Sequence, residues 1–155
     1  MTDDVAVERM WAAYVEATGA TGRYTAWGFG EPIPALMTEL GLLVRDGPKR
    51  ATASRMSDFD TGAEPMPMVG EHSVILDGEG RPLCIIRTAS LEVRAFGDVD
   101  EAFAWDEGEG DRTLADWRQG HLGYFKEIGA PVDDSTQMLL ERFAKVWPPP
   151  ADPPA

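Results

Sequence analysis

Lys49 and Thr52 lie three positions apart in LVRDGPKRATAS, residues 43–54, just after the strong turn signal Gly47-Pro48. A cation beside a hydroxyl is the raw material of an activated nucleophile. Successive strand residues face opposite sides, so the two side chains diverge if both lie in regular strand. They converge only if Lys49 belongs to the turn and the strand begins after it. The bland alternative is a solvated lysine and an ordinary strand threonine. A phosphate-binding loop is excluded, because no GxxxxGK[ST] is present.

A second cluster is DEGEGDRTLADWR, residues 106–118. Thr113 with Asp116 three residues later resembles a capping box, and Glu107, Glu109 and Asp111 precede the positive end of the helix it opens. Capping accounts for Asp111 and Thr113. It does not account for the glycine after each glutamate, which signals a sharp turn or a close approach of backbone to another group. The acids do not fall at the ligand positions of a calcium loop. Two histidines, His72 and His121, far apart and with no paired cysteine, argue against zinc, and no metal or cofactor is predicted. His121 shares a stripe with Leu114, Trp117 and Phe125, which reads as a structural histidine on a packed helix face.

The elements that must position these groups follow from periodicity. Val7, Met10, Trp11, Tyr14 and Val15 recur at helical spacing. GATGRYTAWGFGEP reads as a glycine-rich loop whose Tyr24, Trp27 and Phe29 either pack on the core or offer rings to a base. PALMTELGLLVRDG reads as a helix opened by proline and closed by glycine. A short strand is predicted near 49–54, then loop, then the strands HSVILD and PLCIIRTASLEVRAF around the turn GEGR. The apolar run at Ile85 and Ile86 predicts burial on both faces, with Cys84 an inert thiol inside it. A short helix, a longer helix over TLADWRQGHLGYFKEIG and a closing strand QMLLERFAKVW complete the chain. The sum is an α+β domain: a small, mostly antiparallel sheet or barrel flanked by helices.

The chain has 155 residues, enough for one domain with a real core, taken as residues 1–147, before a proline-rich tail (148–155) expected to be disordered. Fourteen Lys and Arg against 27 Asp and Glu give a formal net charge of −13, which disfavours any long duplex or extended nucleic-acid footprint. Lys49, Arg50 and Arg55 still allow a local basic pocket. No apolar run approaches a membrane span, the start MTDDVAVERM is acidic where a secretion signal is basic, and Cys84 stands alone. A cytoplasmic location without membrane contact is predicted.

Taken in order, YTAWGFG, ELGLLVRDGPKRATAS, PMVGEHSVILDGEGRPLCIIRTASLEVRAF and FAWDEGEGDRTLADWRQGHLGYF resemble the ASCH domain family, which is similar to the PUA barrel. The resemblance spans roughly Trp11 to Trp147 and is densest at G-x-K-x-A-T (Gly47, Lys49, Ala51, Thr52) and at EGEGD before TLxxWR. It implies a small PUA-like antiparallel β-barrel with a cleft sized for a nucleobase or a short single strand. Some members resemble RNA-binding modules, and at least one bacterial group is ribonucleolytic. Another group hydrolyses the N4-acyl amide of cytidine with a lysine, a threonine three residues on and a glutamate after the barrel strands. Their counterparts here are Lys49, Thr52 and Glu107, with Glu109 the competing glutamate. Tyr24, Trp27, Phe29, Arg50, Ser54 and Glu109 are the residues expected to contact substrate. Three functions follow as expectations: amidohydrolase on a nucleoside, nucleotide or short single-stranded RNA binding without chemistry, and single-strand ribonuclease.

Overall fold

A computed structural model describes residues 2–62 and 64–149. Residues 150–155, most of the predicted tail, lie outside the described residues. Five strands form one sheet in the order β1-β3-β4-β5-β2, where β1 is Tyr24–Trp27, β2 Ala51–Arg55, β3 His72–Leu76, β4 Pro82–Ala95 and β5 Gln137–Trp147. β1 runs parallel to β3, and the other three pairings are antiparallel.

Two expectations change here. Closure into a barrel would require β1 to pair with β2, and among the described residues these strands are the two ends of the order. The aromatic segment YTAW, expected as loop, is an edge strand. Its four residues are too few for an alternation to register, and glycines surround them. Registry shifts at Ile85/Ile86 and at Thr88/Ser90 let the 14-residue β4 serve β3 with one half and β5 along most of its length.

The helices α1 (Asp4–Thr18), α2 (Pro34–Arg45), α3 (Ser57–Asp60), α4 (Glu101–Glu107) and α5 (Leu114–Glu127) cover the sheet. Val74, Leu76 and Ile85 pack with Val7 and Tyr14 of α1, whereas Ile75, Cys84 and Ile86 pack with Leu40 and Val44 of α2. Alternation along β3 and β4 thus buries both faces, as the unbroken apolar run predicts. A third cluster joins Ala51, Met138 and Leu140 of the sheet to Phe103 of α4 and to Trp117 and Phe125 of α5. Among the described residues no helix is long and apolar enough to cross a membrane.

Candidate functional site

Lys49 lies between the end of α2 and the start of β2, as convergence requires. Its N–H donates to the Leu43 carbonyl at 3.2 Å, and Arg50 N–H donates to Asp106 O at 2.8 Å, which ties the turn to both α2 and α4. The Lys49 side chain is only 1% exposed. Its ammonium donates to Ala51 O at 2.8 Å, Glu107 Oε1 at 3.3 Å and Glu109 Oε2 at 2.8 Å, and stands 5.0 Å from the Phe29 ring centroid. All three hydrogens therefore have acceptors. Because Arg50 O accepts from Phe143 N on β5, the next carbonyl, Ala51 O, points to the free edge of β2. The ammonium caps that edge at the peptide bond leading into Thr52.

Gly108 explains half of the EGEG puzzle. It ends α4 in the left-handed region (φ +68°), and a Cβ there would stand 2.7 Å from Lys49 N and 2.8 Å from Lys49 Cα. Only glycine lets the two backbones meet, and that meeting brings both Glu107 and Glu109 within reach of the ammonium. Gly110 (φ +58°) leaves room for the Asp116 carboxylate, whose Oδ2 would lie 1.9 Å from a Cβ at that position. Asp111 and Thr113 have the capping roles expected: the Thr113 hydroxyl accepts from Asp116 N at 3.1 Å, and Asp111 Oδ1 accepts from Thr113 N at 2.8 Å.

The two glutamates differ in surroundings. Glu107 is fully buried and accepts from Lys49, from the Trp117 indole N–H and from His121 Nε2, 3.0 Å from its Oε2. Burial pushes its pKa up, but His121 and Lys49 outweigh burial and hold it well below the carboxylate range. Glu109 keeps 28% of its side chain exposed. Burial is the largest influence on it; with repulsion from Glu107 it overcomes Lys49, and the pKa is raised. Glu109 lines a groove of about 170 Å³ between α2 and α5, together with Leu36, Leu40, Leu43, Trp117 and His121.

His121 does more than fill the helix stripe. Its ring stacks on Trp117 at 4.2 Å, and Nδ1 faces the Trp117 carbonyl at 2.8 Å. A carbonyl on one nitrogen and a carboxylate on the other demand two N–H groups, so the ring is an imidazolium. Burial lowers its pKa, yet Glu107 prevails and the pKa is raised. Donor atoms of Glu107, Glu109 and His121 lie within 4.8 Å of one another, a spacing that could hold a metal ion. A metal there would have to displace the His121 proton and compete with the Lys49 ammonium, which pairs with both glutamates. The i, i+4 spacing of His121 from Trp117 was legible in sequence; its reach to Glu107 was not, because that depends on how α4 packs on α5.

A lysine acts as a base for a neighbouring hydroxyl only if its surroundings depress its pKa, and those of Lys49 do the opposite. Burial does push it down, but the attraction of Glu107 and Glu109 is greater, and the pKa is raised. It is a fixed cation rather than a base.

Thr52 sits on β2 opposite Glu141 of β5, half-buried. Among the described residues its hydroxyl makes no hydrogen bond to Lys49 or to either glutamate. Ser54 follows on the same face opposite Leu139. Arg50 spends its guanidinium on the carbonyls of Val44 (3.1 Å) and Lys49 (2.6 Å), bracing the turn. Tyr24 packs on Trp11 of α1 at 4.8 Å. Trp27 meets Phe29 edge-on at 4.8 Å, and Phe29 is buried against Phe143 at 5.6 Å. The structure thus gathers Lys49, Glu107, Glu109 and Phe29, sets Thr52 one peptide away, and commits Tyr24 and Arg50 to packing and bracing.

The sequence pattern of the ASCH domain family matches residues 25–147. Among solved structures, the fold is similar to an ASCH domain from Lactobacillus crispatus JV V101, 27% identical with a TM-score of 0.80, covering 94% of this chain and 96% of that one. It is equally similar to protein EF3133 from Enterococcus faecalis V583, 30% identical with a TM-score of 0.80, covering 90% and 87%. Among curated proteins none matches this chain.

Proposed function

The chain belongs to the ASCH domain family, of PUA-like fold, and from that premise we propose that it is an amidohydrolase acting on N4-acylated cytidine-type nucleosides. The observation that carries the reading is the buried Lys49 ammonium, held at the peptide bond entering Thr52 while its partner Glu109 still reaches the groove. A fixed cation in a water-poor setting stabilises the negative charge that develops on an acyl oxygen under attack. Thr52 supplies the nucleophile. The departing cytosine amine needs a proton, and Glu109 is the better donor, because its pKa is raised and it is accessible. Glu107, buried and saturated by Lys49, His121 and Trp117, orients the lysine instead. Protonation of Glu109 also releases one Lys49 N–H to the acyl oxygen, so acid and electrophile become available together. Trp27 is the remaining aromatic candidate for stacking on the base.

The test is incubation of the purified protein with N4-acetylcytidine, following cytidine by chromatography. Turnover that disappears in Thr52→Ala supports the reading, and full turnover in that variant removes Thr52 from it. A second reading, recognition of a cytidine-type nucleoside without chemistry, is favoured by the lack of a hydrogen bond from the Thr52 hydroxyl to Lys49 or either glutamate. Cytidine binding with no turnover of the acetylated nucleoside would select it.

A further inference from the structure

We propose that Glu141 is the base that activates Thr52, an inference that rests on reading Thr52 as the nucleophile. A threonine hydroxyl needs a nearby group with a free lone pair. In the cluster around Lys49 no group is suited to the task. The lysine ammonium has three acceptors for its three hydrogens. Both nitrogens of His121 are donors, Glu107 is saturated, and Glu109 is engaged with Lys49.

Glu141 stands elsewhere, directly across the strand pair from Thr52. Cross-strand partners place their Cβ atoms about 5 Å apart on one face of a sheet, so the two side chains leave β2 and β5 on the same face. Among the described residues their oxygens are not hydrogen-bonded to each other, and one rotamer change would bring them together. Glu141 is 7% exposed, between Leu139 and Phe143 on its own strand face, where an apolar side chain would serve packing better. Among the described residues it pairs with no cation, and its one side-chain hydrogen bond there is from the Thr88 hydroxyl to Oε2, at 2.7 Å. Oε1 has no partner among the described residues, yet it is not sealed from solvent, since the only sealed and unpartnered side-chain polar atom among them is Arg55 Nε. A buried carboxylate with one oxygen anchored and the other free, across the strand pair from a threonine, is an arrangement that stability does not ask for. Burial, and to a lesser degree the negative charge of Glu71, raise its pKa and so make it a stronger base than an exposed carboxylate.

The proton balance closes. As Thr52 Oγ bonds to the acyl carbon, its proton passes to Glu141 Oε1. The C–N bond then breaks, and the cytosine nitrogen takes a proton from Glu109. Water attacks the Thr52 ester and gives one proton to Glu109. The Oγ–C bond breaks as Glu141 returns its proton to Thr52, leaving a carboxylic acid and both glutamates in their starting states.

The deciding experiment uses p-nitrophenyl acetate, an activated ester whose leaving group needs no acid, in acid-quenched reactions read by peptide mass. The expected result is acetylation of Thr52 in the wild type, slower by at least about 100-fold in Glu141→Gln. That variant keeps the side-chain shape, so its melting temperature should be unchanged or higher. In Glu141→Ala, added formate should restore labelling, which a packing role would not allow. Equal labelling of wild type and Glu141→Gln, or no acetylated Thr52 in the wild type, overturns the proposal. Failure of N4-acetylcytidine turnover alongside Glu141-dependent acetylation would instead sink the substrate class and leave the Thr52–Glu141 pair standing.

Discussion

At the scale of single residues, Glu107 and Glu109 are chemically identical side chains with opposite fates. Removing one partner of a buried ion pair leaves charge uncompensated, so Glu107→Gln should destabilise the fold by roughly 3 kcal/mol or more in denaturant unfolding. Glu109→Gln, with part of its side chain in water, should cost much less stability while abolishing turnover. Near-native stability in Glu107→Gln would refute the division of labour. The pH dependence has two signs. The pKa of Glu107 is lowered, so its contribution is present above the ordinary carboxylate range and is lost as pH falls through its folded value. The pKa of His121 is raised above 6.5, so its contribution is complete below that value and is lost as pH rises through the folded value. Unfolding free energy should therefore decline as pH rises above about 6.5 and through the raised folded value, and His121→Gln should flatten that limb. An unchanged slope in the variant would show that His121 is not the imidazolium its partners require.

At the scale of elements, the site depends on where α4 ends. Gly108 gives α4 a left-handed cap and lets the Lys49 backbone approach to within contact. Gly19 gives α1 the same kind of cap at φ +71°, but nothing lies within 4 Å of a Cβ there. Gly19→Ala should thus cost only the backbone strain, about 1 to 2 kcal/mol. Gly108→Ala adds a steric clash with main-chain atoms and should lose more stability, together with activity. Thermal melts of the two variants side by side provide the check, and equal losses would mean that the contact with Lys49 relaxes freely. The same contact answers the question posed by EGEG in the sequence. Glycine after a glutamate announced a close approach; which segment approached was not legible, because Lys49 lies 58 residues from Glu107.

At the scale of the whole molecule, a net charge of −13 opposes binding of a phosphate chain and favours a small ligand with little charge. Anisotropy of a labelled single-stranded RNA should show at most weak binding at low salt that vanishes at physiological salt, whereas nucleoside turnover should change little. Tight RNA binding at physiological salt would favour the ribonuclease or RNA-binding readings. Added salt should also raise the melting temperature by screening self-repulsion.

The helices α1, α2 and α5, the buried run in β4 and the closing strand were written in local patterns, because amphipathic spacing and turn residues act within a few positions. Lys49, Thr52 and the acidic turn stood out for the same reason: their residue types and glycine flanks are local facts. The tertiary structure alone decided the remainder. It made YTAW an edge strand by offering it β3, left β1 and β2 at the ends of an open order, and put the lysine between two carboxylates that reverse the effect of its burial. It also set Glu141 across from Thr52, a matter of strand register. Register and charge environment arise from groups distant in sequence, and a pKa or a cross-strand neighbour exists only once those groups are packed together.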